Sequence, residues 1–408
     1  MRRKALLLTV IALLVLSNVG TYLISTGQVP WIYQRGTIAG KTPEYRSFLQ
    51  VLGYIQGQFV DEARAQNDAL LIRGATRGMV EALDDPYSVY MDPQQYTQFV
   101  TGVRGNYTGV GIEITSVDGY ITVIAPIKDT PAYRVGILPQ DRIVAVDGRS
   151  IIGFTTQEAS ELIRGAEGTA VVLTIRRGDS TQPVDYSIVR ELIQLRTVFA
   201  KMLEAGIGYL QISAFREDTA ADCERALTGL RQEGLRVLIL DLRDNPGGLL
   251  DQAVQVAGLF VPQGRVVTTL YRDGRREEHD ARGPGLGLPL ITLVNGGSAS
   301  ASEIVSGAIQ DRQAGTLLGV KTFGKALVQH LFTLPDGGGL KLSTARYLTP
   351  NGRDINRAED GTGGIVPDVV VENGAVDPGR QRVQLDDVSD PRNLQLRQAL
   401  ELARQRAG

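Results

Sequence analysis

The chain has 408 residues, of which 43% are hydrophobic, and its formal net charge is −2. This length predicts two or three domains, and the near-neutral charge without a long basic run argues against nucleic-acid binding. The single cysteine, Cys223, excludes an intrachain disulfide and a cysteine-based metal site, and the two histidines argue against a histidine-rich metal centre or a Ser-His-Asp triad.

The first residues predict a membrane segment. Basic residues at 2–4 precede the apolar run 5–16, and apolar character resumes at 22–24. Residues 5–24 have roughly the 20-residue length of a membrane helix, and no A-x-A cleavage site follows them. We therefore expect an uncleaved signal anchor in the cell membrane, with the rest of the chain in the periplasm or cell envelope. The alternative is a buried helix of the globular part, which the following polar linker and Pro30 disfavour.

The segment 43–99 has helical periodicity. Apolar side chains recur at helical spacing over 48–55 and over 70–83, and Asp84-Asp85-Pro86 ends the second helix. We interpret this region as a packing or dimerisation surface rather than a catalytic unit. Together with a predicted helix after Pro391, it leads us to expect a homodimer joined through terminal helices.

Residues 107–177 change to the pattern of a small α/β module. The stretch VGIEITSVDGYITVIAPI predicts two strands around the hairpin signal Asp118-Gly119. A helix over Thr156–Arg164 and a strand over Ala170–Arg177 follow. This order of elements resembles a PDZ domain in the circularly permuted form found in bacterial proteases.

The carboxylate-binding loop of a PDZ domain corresponds here to Gly109, Val110, Gly111 and Ile112. Consecutive backbone N–H groups would bind a terminal carboxylate while the peptide adds to a sheet edge, and glycine permits the close approach. Val110 and Ile112 are expected to line the groove, whereas the simpler alternative is a plain hairpin. Arg164, at the end of the predicted helix, is a candidate for signalling groove occupancy and is otherwise a surface arginine.

A larger α/β pattern begins after Glu191. Its strands and helices alternate, which indicates parallel βα units. The continuous apolar run Val237–Leu242 is typical of a strand that is buried on both faces. The expected elements are strands Ile207–Ile212, Val237–Leu242 and Pro289–Val294, and helices Thr219–Arg231, Leu249–Phe260 and Ala301–Gln310.

The stretch GGSASASEI, Gly296–Ile304, joins the last of these strands to a helix. A helix N-terminus stabilises negative charge, which suits a serine nucleophile and its oxyanion hole. The simpler interpretation is that Ser298 and Ser300 cap the helix. No histidine stands in a suggestive motif, because His330 falls in an apolar run that is expected to pack and His279 in an expected solvated loop.

The candidate base is Lys325, in KTFGKALVQ. A free lysine has a pKa of about 10.4, and burial can lower it by about 3 units, to where the amine accepts a proton. Gln329 stands four residues further on. Because positions i and i+4 of a strand share a face, we expect its side chain to orient Lys325.

These motifs closely resemble those of the carboxyl-terminal processing proteases, also called tail-specific proteases. That family places its serine in an S-A-S-A-S-E-I stretch and its lysine in an F-G-K-G-x-V-Q stretch. The family spacing of 25 residues is met when the serine is Ser300. The resemblance covers about 45–371 and includes LRDNPGG, ARYLTPNGRDI and GIVPD. Ala326 stands where the family usually has glycine, and its methyl group would restrict the backbone beside the base.

The resemblance implies a multidomain α/β fold with a helical N-terminal region, an inserted PDZ domain and a crotonase-like or ClpP-like protease core of parallel βα units. The implied site comprises the nucleophile Ser300, the base Lys325, its orienting partner Gln329, and the oxyanion-hole N–H groups of Gly247 and Ala301. No cofactor or metal takes part, and the substrates are proteins or peptides bound by apolar C-termini. Asp311 is a weaker candidate for supporting this region and is otherwise a surface acid at a helix end.

The expected boundaries are 1–30 for the anchor and linker, 31–98 for the helical region, 99–180 for the PDZ domain, 181–375 for the Ser-Lys protease core and 376–408 for the C-terminal linker and helix.

Two other functions compete with a protease. The run Gly319–Ala326 nearly matches the phosphate-binding pattern G-x-x-x-x-G-K-[ST], but Ala326 lacks the Mg²⁺-binding hydroxyl and a strand pattern follows. The second competitor is a membrane-anchored PDZ adaptor without catalytic activity.

Overall fold

The computed structural model describes residues 42–104, 106–127, 130–178, 182–358, 361–373 and 385–407. The chain divides into two units, of which the first ends at Leu83 and the second begins at Asp84. The predicted anchor, residues 5–24, lies outside the described residues. Within those ranges, no helix is both long and apolar enough to cross a membrane.

Three helices make up the described part of the first unit: α1 (Pro43–Gln58), α2 (Glu62–Ala65) and α3 (Asp68–Glu81). Each begins at a capping side chain that accepts a hydrogen bond from the backbone N–H three residues on. Helix α1 buries none of its residues, and α3 buries only Val80. Many apolar side chains are therefore exposed, among them Phe48, Leu49, Val51, Tyr54, Leu70, Ile72 and Met79.

The second unit begins with a strand that the sequence analysis did not predict. Strand β1 (Val89–Met91) pairs antiparallel with β18 (Gly339–Leu348), and α4 (Pro93–Arg104) follows it. The helical interpretation of 43–99 is wrong for this segment. A three-residue strand is too short to show an alternating pattern, and its partner lies far along the chain.

An antiparallel sheet forms the PDZ-like module. Its order is β3 (Ile112–Val117), β4 (Tyr120–Pro126), β5 (Arg142–Val146), β7 (Ala170–Arg176) and β8 (Val184–Val189), with the short β6 (Arg149–Ser150) beside β5. Two helices, α5 (Pro131–Arg134) and α6 (Thr156–Ile163), complete it. The predicted hairpin turn is confirmed, because Asp118 and Gly119 both have positive φ, as a type I′ turn requires.

The module is joined to the core through a two-stranded ribbon. Strand β2 (Asn106–Gly109) enters the module, and β9 (Glu191–Gln194) leaves it. The two strands pair antiparallel over their whole length, so the chain enters and leaves the module side by side.

The core contains a six-stranded sheet in the order β10 (Val198–Glu204), β11 (Ile207–Ile212), β12 (Val237–Asp241), β15 (Leu290–Val294), β16 (Thr316–Gly319) and β19 (Val369–Val370). All pairs from β11 to β19 are parallel, and only β10 runs antiparallel to its neighbour. Helix α7 (Thr219–Gln232) connects β11 to β12, α8 (Leu250–Phe260) follows β12, and α9 (Ala301–Asp311) follows β15.

Helices cover both faces of this sheet. Leu238 and Leu240 of β12 pack in the cluster that includes α7, α8 and α9, whereas Val237 and Ile239 pack against α10 (Leu394–Ala407). Successive strand residues point to opposite faces, so a strand covered on both sides needs the continuous apolar run seen in the sequence.

A second, antiparallel sheet of the core combines β1 and β18 with β13 (Gly264–Tyr271), β14 (Arg276–Ala281) and β17 (Leu327–Thr333). Both histidines lie on its strands. His330 is exposed on β17, a strand that buries none of its residues, so the expectation that it packs is wrong. His279 lies on β14 with Nε2 3.2 Å from Thr269 Oγ1, rather than in a solvated loop.

Candidate active site

The GGSASASEI stretch carries the chain from β15 into α9. Ser300 is the N-cap residue of α9, with φ of 53° and ψ of −111°, a conformation that residues with a side chain rarely adopt. Such strain costs about 1–3 kcal/mol and is commonly found at functional sites, where surrounding contacts enforce it. Ser300 is half-buried, so its side chain is still partly accessible to solvent.

The three serines of this stretch differ in what their hydroxyls do. Ser298 Oγ donates to the Leu242 carbonyl oxygen over 2.8 Å, and Ser302 Oγ donates to that of Asn245 over 2.9 Å. Both side chains are fully buried and fasten the segment after β12 to the start of α9. By contrast, the Ser300 hydroxyl donates to no acceptor within the described residues.

The LRDNPGG loop after β12 lies directly against Ser300. A Cβ placed on Gly247 would lie 2.9 Å from Ser300 Cβ and 2.9 Å from the Ala301 nitrogen, so a side chain cannot be accommodated there. The Ala301 N–H begins α9 and meets no acceptor in the part of the chain that the structure describes. The Gly247 N–H donates to Asn245 Oδ1 over 2.9 Å. To act in the predicted oxyanion hole, the Gly247 N–H would have to exchange the Asn245 oxygen for a substrate oxygen. The Ala301 N–H would not have to give up an acceptor.

Lys325 lies in the loop between β16 and β17, and its backbone is close to that of Ser300. The Tyr347 hydroxyl is 3.1 Å from the Ser300 carbonyl oxygen and 2.6 Å from the Lys325 carbonyl oxygen. Burial lowers the pKa of Lys325, and the charge of Lys341 lowers this pKa further. The Lys325 Nζ lies 4.5 Å from the ring centroid of Tyr87. Across the described ranges, no hydrogen bond joins it to Ser300 Oγ.

One buried carboxylate, which the sequence analysis missed, holds the two loops together. Glu303 Oε2 accepts the backbone N–H groups of Ser300 and Lys325, each over 2.9 Å. Its Oε1 accepts Thr322 Oγ1–H over 2.6 Å and the Gly324 N–H over 2.7 Å. Burial raises the pKa of Glu303, and these four donors oppose that change. The S-x-x-E spacing from Ser300 to Glu303 is a capping-box signal that could have identified it.

Gln329 is held by partners other than the predicted one. Its Nε2 lies 3.3 Å from the Leu327 carbonyl oxygen and 3.5 Å from Ser343 Oγ. The argument from strand spacing is wrong, because Lys325 precedes β17 and the strand register shifts between Val328 and Gln329. Gln329 would have to give up these contacts to reach the lysine.

The side chains of Asp311 and Ala326 are both buried. With 3% of its side chain exposed, Asp311 is not a surface acid. It pairs with Arg353 and accepts the Asn351 N–H over 2.9 Å, which ties the TPNGRDI segment to the end of α9. Ala326 is fully buried, and its N–H donates to Asn356 Oδ1 over 3.2 Å.

The predicted PDZ loop lines a small groove between β3 and α6. A cavity of about 50 Å³ there is bordered by Tyr107, Gly109, Val110, Gly111, Ile112, Ile114, Ser160, Ile163 and Arg164. Gly111 has φ of 80°, and a Cβ on it would lie 2.3 Å from Thr130 Cβ. The Val110 side chain is buried in the module core, which leaves Ile112 as the apolar member of the loop nearer the surface. The Arg164 guanidinium lies 5.0 Å from the Tyr107 ring centroid.

Comparisons with known proteins agree with this architecture. The sequence model of peptidase family S41 matches residues 206–371, the PDZ domain model matches 122–177, and the model described as the activating protease CtpB N-terminal domain matches 33–95.

Proteins of similar sequence include two bacterial carboxy-terminal processing proteases. The carboxy-terminal-processing protease of Bartonella bacilliformis is 40% identical over 331 residues, which cover 78% of this chain and 74% of that protein. The carboxy-terminal processing protease CtpA of Bacillus subtilis is 38% identical over 314 residues, 76% of this chain and 66% of that protein. A solved photosystem II D1 C-terminal processing protease matches with a TM-score of 0.47 and 30% identity, over 81% of this chain and 94% of its own. The chain therefore belongs to peptidase family S41 and is a serine peptidase of the carboxy-terminal processing type with a PDZ domain.

Proposed function

We propose that the protein is a membrane-anchored, extracytoplasmic endopeptidase that cleaves peptide bonds with Ser300 and Lys325. The observation that carries this proposal is the Glu303 carboxylate, of which one oxygen accepts the backbone N–H groups of both residues. The choice of serine is supported by Ser298 and Ser302, whose hydroxyls are committed to backbone carbonyls.

In the proposed reaction, Lys325 acts as a neutral amine. It accepts the Ser300 hydroxyl proton while Oγ attacks the substrate carbonyl carbon, and the Ala301 N–H stabilises the oxyanion together with the Gly247 loop. The resulting ammonium then returns the proton to the leaving amine as the C–N bond breaks. Water hydrolyses the acyl-enzyme with the same lysine as base. Gln329 orients Lys325 after leaving its contacts on β17. Burial supports this role because it disfavours the charged form of the lysine.

The PDZ module is proposed to capture apolar C-termini. The backbone of Gly109–Ile112 would hold the terminal carboxylate, and Ile112 would contact an apolar side chain. Arg164, which borders the same groove, is proposed to signal its occupancy to the core. We also infer that the core is crotonase-like or ClpP-like, which its parallel βα units support.

The cellular setting follows from the N-terminal region. The basic start and apolar run of 5–24 support a cell-membrane anchor with the catalytic part on the outer side. The exposed apolar side chains of α1 and α3 support a homodimer through terminal helices.

Serine replacement tests this proposal. We expect Ser300→Ala and Lys325→Ala to abolish hydrolysis of an unfolded protein substrate, and Ser300→Ala also to abolish labelling by an active-site serine probe. Ser298→Ala and Ser302→Ala each lose a buried hydrogen bond, so they should be less stable yet remain labelled and partly active. Full activity of Ser300→Ala would contradict the assignment. Absence of labelling in the wild-type protein would favour a silent PDZ adaptor instead.

A further inference from the structure

Tyr87 presents the face of its ring to the amine of Lys325. The Nζ lies 4.5 Å from the ring centroid, within the range of a cation–π interaction. The ring attracts an ammonium electrostatically and offers no such attraction to a neutral amine. The contact therefore stabilises the protonated lysine, which is the form that cannot act as a base.

The position of Tyr87 is fixed by its neighbours. Its backbone N–H donates to Asp85 Oδ1 over 3.1 Å, and Ser88 Oγ donates to Asp85 Oδ2 over 2.5 Å. Ser88 Oγ in turn accepts the Ser343 N–H over 3.1 Å, which fastens this turn to β18. The chain then continues into β1, so strand pairing sets where the ring stands.

The protonation state of Lys325 depends on burial and on several neighbouring side chains. Lys341 and burial favour the neutral amine, whereas Asp85, Glu303 and the Tyr87 ring favour the ammonium. Lys341 lies on β18 with its Nζ 5.4 Å from the Phe99 ring centroid. Lys325 therefore lies among groups that shift its pKa in opposite directions. Of these groups, the Tyr87 ring acts only while it is in direct contact with the ammonium.

We propose that Tyr87 is a positioning residue that holds protonated Lys325 away from Ser300 until the lysine loses its proton. This inference rests on the proposed role of Lys325 as the base. The ammonium gives its proton to solvent, the contact with the ring weakens, and the neutral amine becomes able to accept the Ser300 proton. The segment 84–91, which the sequence predicts to be part of a packing surface, thus contributes to the active site.

Two variants of Tyr87 test the proposal. Tyr87→Leu keeps an apolar side chain but removes the ring, and the acid limb of the pH profile of kcat/KM should move down by about 0.5–1 pH unit. Tyr87→Phe is the matched control, because it keeps the ring, and its limb should stay at the wild-type pH. Lys341→Met removes a like charge and should move the limb up. An unchanged or raised limb in Tyr87→Leu would overturn the proposal.

Direct titration of Lys325 separates this inference from the proposed function. The chain contains seven lysines, so ¹³C-lysine NMR of the Ser300→Ala protein gives few signals, and Lys325→Arg assigns the relevant one. If Lys325 titrates at a pH unrelated to the wild-type limb, the base assignment fails. If it titrates at the limb but Tyr87→Leu leaves its pKa unchanged, only the Tyr87 inference fails.

Discussion

The relative position of Ser300 and Lys325 depends on groups that take no part in the proposed bond breaking. The Glu303 carboxylate and the Tyr347 hydroxyl each contact the backbone of both residues. The strained φ of Ser300 requires such contacts, because an unsupported residue would relax to an ordinary conformation. The geometry of the proposed dyad is thus set by buried acceptors and donors.

The change Glu303→Gln should uncouple the two loops. An amide can accept from one pair of donors, but its NH₂ group then faces the other pair, which includes at least one backbone N–H. We expect peptide hydrolysis to fall at least about 100-fold and the free energy of unfolding to fall by about 2–4 kcal/mol. Serine-probe labelling and urea unfolding measure the two effects.

The control for Glu303→Gln is Asp251→Asn, which makes the same chemical change at an exposed position of α8. It should leave labelling and stability close to those of the wild type. Wild-type labelling of Glu303→Gln would show that the carboxylate does not position the serine.

The pH dependence of hydrolysis should report the lysine. The pKa of Lys325 is lowered by burial and by Lys341, and the residue is proposed to act when neutral. The value of kcat/KM should therefore rise with pH through a limb below about 10.4, the ordinary lysine pKa. The double variant His279→Asn, His330→Asn should retain this limb. A limb that disappears with His330 would identify histidine as the base.

The sequence predicted the elements with long apolar patterns and missed contacts between distant segments. The run Ile207–Ile212 is a strand with the predicted bounds, because its largely apolar sequence already indicates one locally. The contact of Tyr87 with Lys325 depends on β1, a strand of three residues whose pairing is not encoded locally. The contacts of Gln329 depend on a register shift in β17, which strict alternation cannot predict.

The groove between β3 and α6 should recognise the C-terminus of a substrate. We expect an unfolded substrate with an apolar free C-terminus to be cleaved faster than the same substrate amidated or ending in two aspartates. Amidation removes the charge that the loop is proposed to hold, and aspartates place charge beside the apolar residues of the groove. Cleavage rates of the three measured at low substrate concentration test this, and equal rates would contradict it.

Two glycines provide a matched pair for the same test. Gly111 and Gly119 have φ of 80° and 77°, but only at Gly111 would a Cβ meet another atom, Thr130 Cβ at 2.3 Å. Gly111→Ala should lower cleavage of the free-ended substrate to the rate of the amidated one. Gly119→Ala carries a similar backbone strain without the collision, and it should retain the preference for the free end.

The proposed homodimer should depend on α1. Val51 is 55% exposed on this helix, and Val184, of equal 55% exposure, lies on the PDZ module. In detergent-solubilised full-length protein, Val51→Asp should shift sedimentation from dimer to monomer, because a charge would enter an apolar interface. Val184→Asp adds the same charge elsewhere and should remain dimeric. A wild-type monomer, or a dimeric Val51→Asp, would contradict the proposal.

The paired strands β2 and β9 should allow the PDZ module to be exchanged as a unit. Gly109 stands opposite Glu191 and Asn106 opposite Gln194, so the two points of attachment are neighbours in a hydrogen-bonded ladder. Excising the residues between Gly109 and Glu191 would leave ends about 5 Å apart, a gap that a tight turn can close. A different recognition domain with adjacent ends would fit the same place without stretching the core. Substrate preference could thus be replaced by recombination at two positions while the residues around Ser300 are inherited unchanged.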